Sequence, residues 1–103
     1  MYKLSVFIPE SHLEPVKSAM FTAGAGRIGN YDCCSWQTLG QGQFRALDNS
    51  QPYIGTQGEI EQVSEYKVEM VCEDNLIKDT IAAMKQAHPY EEPAYDAWKL
   101  EKL

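Results

Sequence analysis

Apolar and polar residues alternate along this chain with two periods, and the switches between them mark the elements. Tyr2–Ile8 alternates, is rich in Val, Phe and Ile, and predicts a strand stopped by Pro9. Leu13, Val16, Met20 and Ala23 then recur at helical spacing. Ser11 with Glu14 spells a capping box for that helix, and Gly24 supplies the residue beyond its end. Cys34–Leu39 and Gln43–Leu47 read as extended, with Gly40-Gln41-Gly42 as a turn between them, so a hairpin or a bulged, bent strand is expected. Asp48–Pro52 is loop by composition, and Tyr53–Gly58 an irregular crossing. Glu59–Cys72 alternates again, its even positions Tyr66, Val68, Met70 and Cys72 making one apolar face for helices to cover. Asp74 or Asn75 is expected to cap a second helix carrying Ile77, Ile81 and Met84, which His88-Pro89 stops. Ala94–Leu100 closes the pattern as a last strand.

The two strand–helix units superpose when the sequence is shifted by sixty-four residues. Tyr2, Lys3, Ala19, Met20 and Ala23 then fall on Tyr66, Lys67, Ala83, Met84 and Ala87. Two equivalent βα units, each followed by a further strand, describe an α+β, ferredoxin-like βαββαβ sandwich with two helices on one face of an antiparallel sheet. The 103 residues are read as one domain, 1–103. Trp36, Phe44, Tyr53, Tyr95 and Trp98 are more aromatic surface than one side of so small a core absorbs, which favours a homo-oligomer.

Charge narrows the range of partners. A net charge of −6 argues against nucleic acid and against anionic membranes, both of which need a basic face. No apolar stretch is long enough to cross a bilayer, and Pro9 closes the first apolar run too early for a signal peptide. Three cysteines, two of them adjacent, do not make a disulfide framework, so a reduced cytoplasmic protein is expected.

Two stretches concentrate chemistry. Gly24-Ala25-Gly26-Arg27-Ile28-Gly29 matches the letters of a dinucleotide fingerprint, but a helix precedes it and a strand follows, the reverse of what that motif needs. It reads as a helix end with tight turns, or as a loop whose bared amides and Arg27 meet an anion or a neighbouring subunit. The adjacent Cys33-Cys34 would point to opposite faces if extended, and no metal-ligand spacing accompanies them. They read as packed thiols, with a thiolate–imidazole metal site as the alternative. His88-Pro89-Tyr90-Glu91-Glu92-Pro93 places an imidazole, a phenol and two carboxylates between rigid prolines. It serves as a stiff link, as a ligand or interface contact, or as an acid–base set. His12, in the first turn of the first helix, is expected to be solvated.

Taken together, GAGRIGNYDCCSW, Pro52-Tyr53-Ile54-Gly55 and HPYEEPAYD resemble the YqfO-type domain inserted in Nif-three-like proteins, over essentially the whole chain. The HPYE tetrapeptide also resembles the CutA proteins, which are akin to the PII fold. The resemblance implies a CutA/PII-like fold and a homo-oligomer, with a trimer as the expected state. It also implies that the dinuclear metal site of the Nif-three-like proteins lies in flanking domains, so no hydrolase activity and no cofactor carries over to this chain.

The expected function is therefore that of a non-enzymatic oligomeric module binding a small molecule or partner protein at an intersubunit cleft. Arg27, Asn30 and Tyr31 from the glycine loop and His88, Tyr90 and Glu91 from the proline-bounded link are expected to line it. The reasoning is that both clusters follow the helices of equivalent units and so share one edge of the sheet. The alternative is a copper or zinc site of CutA type built from His88, Glu91, Glu92 and Cys34. Catalysis, such as phosphoester hydrolysis, would need metal ligands this sequence does not supply.

Overall fold

The computed structural model describes residues 1–103. Four strands, β1 (Tyr2–Pro9), β2 (Trp36–Arg45), β3 (Ile60–Cys72) and β4 (Tyr95–Lys99), form one sheet in the order β2-β3-β1-β4. All three pairings are antiparallel. Helices α1 (Leu13–Thr22) and α2 (Ile77–Ala87) complete a ferredoxin-like βαββαβ arrangement.

Alternation in the two central strands builds the core. Leu4, Val6 and Ile8 of β1 lie opposite Met70, Val68 and Tyr66 of β3, so their side chains share the face beneath the helices. Val16 and Met20 of α1 and Met84 of α2 meet them there, all fully buried. The sixty-four-residue offset extends to the element boundaries. A 3₁₀ turn follows each first strand, at Glu10–His12 and Asp74–Leu76, and the helices then open at Leu13 and Ile77.

Those 3₁₀ turns replace the expected caps. No side chain caps either helix, because the chain is already turning at Ser11 and at Asp74. The Ser11 hydroxyl instead meets His12 Nδ1 at 2.8 Å, and Glu14 pairs with Lys17. At the other end of α1, Gly24 takes φ +111 and donates its N–H to the Phe21 carbonyl. Ala25 donates to Met20, completing a Schellman motif as the sequence pattern predicted.

The expected turn at Gly40-Gln41-Gly42 is absent. β2 runs through it in unbroken register, from Trp36 opposite Glu69 to Arg45 opposite Ile60, with no bulge. The two glycines sit within paired strand, and Gln41, Gln62 and Gln43 are joined across it by side-chain amide hydrogen bonds. β2 and β3 therefore outrun β1, whose Pro9 ends opposite Glu65. This arm gives the molecule extents of 46 × 24 × 24 Å and a radius of gyration of 14.5 Å. A compact chain of this length would have about 13 Å.

The sheet face away from the helices is mixed. Lys3, Lys67, Glu69 and Asp96 share it with Trp36 and Trp98, which stay 59% and 44% exposed. No helix is long and apolar enough to cross a membrane.

Candidate functional site

The two polar clusters marked by the sequence sit at opposite ends of the sheet, not at a common edge. Gly26 donates its N–H to the Val71 carbonyl, and Val71 pairs with Lys3 near the start of β1. His88 Nε2 meets the Phe7 carbonyl at 2.8 Å, near the end of β1. Lys3 and Phe7 are about 13 Å apart along the strand. The reason is topological: β1 and β3 are antiparallel, so the helices that follow them run in opposite senses and end at opposite poles. Within one chain, Arg27, Asn30 and Tyr31 thus share no cleft with His88, Tyr90 and Glu91.

At the first pole, Gly24, Gly26 and Gly29 all adopt positive φ. Ile28 and Tyr31 exchange backbone hydrogen bonds across the two-residue turn Gly29-Asn30. Arg27 and Asn30 are exposed, and Tyr31 is 76% exposed. Cys33 is not in a strand but holds φ +54 in the loop, while Cys34 donates its N–H to the Gly26 carbonyl. Cys33 is exposed, Cys34 half-buried and Cys72 buried, and all three are free thiols.

At the second pole the proline-bounded link folds over the sheet face opposite the helices and walls one side of a half-open cavity of about 770 Å³. From the sheet come Phe7, Phe44, Val63 and Glu65, from the link Tyr90 and Glu91, and from the loop between β2 and β3 the segment around Tyr53. The Tyr90 ring lies between two others, 6.4 Å from Phe44 and 6.3 Å from Tyr53. Such tilted contacts contribute about 0.5–1.5 kcal/mol each beyond their buried area. Tyr53 also meets the edge of His12, which is half-buried against it instead of solvated.

Hydrogen bonds set the shape of this end. Tyr90 donates its N–H to His88 Nδ1 at 3.1 Å, so Nε2 carries the proton donated to Phe7. His88 is 6% exposed, and its burial holds the imidazole below its ordinary range, in the neutral state this arrangement needs. Glu91 accepts the Gln51 N–H at 3.0 Å and ties the link to the β2–β3 loop. That loop closes on itself through Gly58 to Ala46 and Gln57 to Ser50.

Two polar groups in the cavity are left over. The Tyr90 hydroxyl is buried without a hydrogen-bond partner. Burial, with the Glu65 carboxylate and Tyr53 nearby, pushes this phenol up to about 12, so it stays protonated. Desolvation also raises Glu65, whose carboxyl has no cationic partner within the chain. Of the expected residues, Tyr90 and Glu91 belong here and His88 supports them from behind. Glu65 was not singled out by the sequence, and Phe44 only as aromatic surface that favours association; Gly42, which makes room for Glu65, was the trace that carboxyl left.

The metal alternative fails on this geometry. Both His88 nitrogens are committed to the backbone, and Cys34 belongs to the far pole. No three His, Cys, Asp or Glu side chains are grouped to hold an ion. The cavity presents aromatic walls, a partly desolvated carboxyl and an unsatisfied phenol.

No family model matches the chain. It is 43% identical over 100 residues to the GTP cyclohydrolase 1 type 2 homolog of Bacillus subtilis, covering 97% of this chain and 27% of that protein. The protein of the same name in Mycobacterium tuberculosis is 46% identical over 98 residues, covering 95% of this chain and 26% of the relative. A solved Bacillus cereus protein related to NIF3 superposes with a TM-score of 0.84 at 39% identity, over 98% of this chain and 26% of that one. CutA1 of Pyrococcus horikoshii superposes over 100% of this chain and 86% of its own, with a TM-score of 0.71 at 15% identity. The fold is accordingly of the CutA/PII-like, ferredoxin-like class. The chain is a homologue of one segment of the Nif-three-related proteins, the YqfO-type domain, and spans about a quarter of the length of the curated relatives it matches.

Proposed function

We propose that this domain is a non-enzymatic, homo-oligomeric recognition module that holds a small ligand in the half-open cavity beside the Tyr90 link. The observation that carries the reading is the buried, unpartnered hydroxyl of Tyr90, whose ring packs beside those of Phe44 and Tyr53 with the Glu65 carboxyl nearby. A cavity of about 770 Å³ falls in the range of small-molecule sites, roughly 300–1,000 Å³. A buried hydroxyl without a partner costs about 1–3 kcal/mol, a cost that a ligand's hydrogen bond would remove. The cyclohydrolase name belongs to proteins about four times this length and is not carried over.

Association of copies is supported by the sheet face away from the helices, where Trp36 and Trp98 remain exposed among charged residues. Three free thiols suit a reducing compartment, and we place the domain in the cytoplasm. Native mass spectrometry of protein taken from cells tests the reading directly. It should report a multiple of the chain mass with a retained small molecule, and a Phe44→Ala variant should lose the small molecule. A bare monomer with no retained mass, together with no ligand from a fragment screen, would overturn it.

A further inference from the structure

We propose that the cavity selects a small organic cation, an ammonium group carried on an apolar or aromatic body. This rests on the reading of the cavity as a ligand site and specifies its class. Three rings, Phe44, Tyr53 and Tyr90, form one wall, with centroid separations of 6.4 and 6.3 Å around Tyr90. Ring faces attract cations through their quadrupole, and do so best where water is excluded.

The carboxylates point the same way. Glu65, Glu91, Glu92 and Asp48 all line the cavity. Glu91 is already bonded to the Gln51 amide, and Glu91, Glu92 and Asp48 are exposed at the rim. Glu65 alone lies deeper, half-buried, with no lysine, arginine or histidine paired to it. The single basic residue lining the cavity is Arg45. Strand alternation directs its side chain to the sheet face opposite Phe44, away from the rings and Glu65. The Tyr90 hydroxyl, buried and without a partner, is left to bond a polar substituent of the ligand.

Three probes sharing one ring and differing in charge separate the alternatives: benzylammonium, benzyl alcohol and benzoate, titrated into the 103-residue chain and followed by NMR shift mapping. Benzylammonium should saturate with shifts at Phe44, Tyr53 and Tyr90, and bind about tenfold more tightly than the alcohol, the scale expected of a partly desolvated cation–π and carboxylate contact. Benzoate should not bind. Glu65→Gln should level the ammonium and the alcohol, whereas Glu101→Gln, outside the cavity, should leave the preference intact. Phe44→Leu, with its folding checked by thermal melting, should weaken only the ammonium. Equal binding of ammonium and alcohol, or a preference that survives Glu65→Gln, would overturn the cation assignment while leaving the cavity a ligand site. Shifts confined to another surface, or none with any probe, would remove both.

Discussion

The Glu65 carboxylate lies over Gly42, in the space that a Cβ on residue 42 would occupy. The two are diagonal neighbours, since Gly42 pairs with Val63 and Gly40 with Glu65, and both belong to the sheet face that carries the cavity. Gly42 therefore makes no turn; its missing side chain lets a carboxyl lie flat against the strand at the cavity floor.

Replacing Gly42 by alanine separates packing from recognition. The clashing atoms are the far end of a flexible side chain, so Glu65 swings aside at little cost. Alanine also lowers the backbone entropy lost on forming a strand. The stability of Gly42→Ala should stay within about 0.5 kcal/mol of wild type in urea unfolding. Benzylammonium binding should fall to the level of Glu65→Gln, read by the same NMR titration.

Tyr90→Phe tests the unpartnered hydroxyl. Removing a buried group that bonds to nothing relieves its desolvation, so the variant should be as stable as wild type or up to about 1 kcal/mol more stable. An alkaline absorbance titration should show one tyrosine ionising only near about 12, and that step should be missing from Tyr90→Phe. Instability of the variant, measured by thermal melting, would mean the hydroxyl has a partner in solution.

His88 gives the fold a pH dependence of definite sign. Its folded-state value lies below 6.5, chiefly through desolvation, so the unfolded chain takes up a proton that the folded chain resists. Its contribution is present in full above 6.5 and is lost as the pH falls through that value toward the lower folded one. His88→Ala removes the hydrogen bonds to Phe7 and Tyr90, and should cost about 2–3 kcal/mol at neutral pH. The gap between the variant and wild type should narrow on acidification. Urea midpoints measured on either side of 6.5 check this, and a gap that widens in acid would refute it.

Much of this architecture was written in periodicity. The offset linking Tyr2 to Tyr66 predicted two equal units and extends to the 3₁₀ turns before each helix. The same symmetry misplaced the glycine loop, because equivalence of units says nothing of direction; antiparallel β1 and β3 send equivalent ends to opposite poles. Gly40 and Gly42 read as a turn because local propensity cannot register a carboxylate that arrives from another strand. The link was legible through its two prolines, which brought out Tyr90 and Glu91. Glu65 was not, since in sequence it is one more polar residue on an alternating strand.

The glycine loop carries its own test, a contrast between two positions of similar φ. Gly26 holds φ +78, and a Cβ there would lie 2.8 Å from the Phe21 ring and 2.9 Å from the Cys34 carbonyl oxygen. Neither neighbour moves freely. Phe21 packs against the core, and the Cys34 backbone is held by its N–H bond to the Gly26 carbonyl. Gly29 holds φ +57 with open space where its Cβ would be. Alanine at Gly29 should therefore cost only the left-handed backbone penalty, about 1–2 kcal/mol. Alanine at Gly26 adds a clash against backbone and core to that penalty, and should cost at least about 3 kcal/mol. Asparagine, which tolerates this region better than alanine, should recover part of the loss at Gly29 and none at Gly26. Urea unfolding of the four variants decides the matter. Equal losses at the two positions would mean that backbone strain alone, and not the close approach of Phe21 and Cys34, requires the glycine at residue 26.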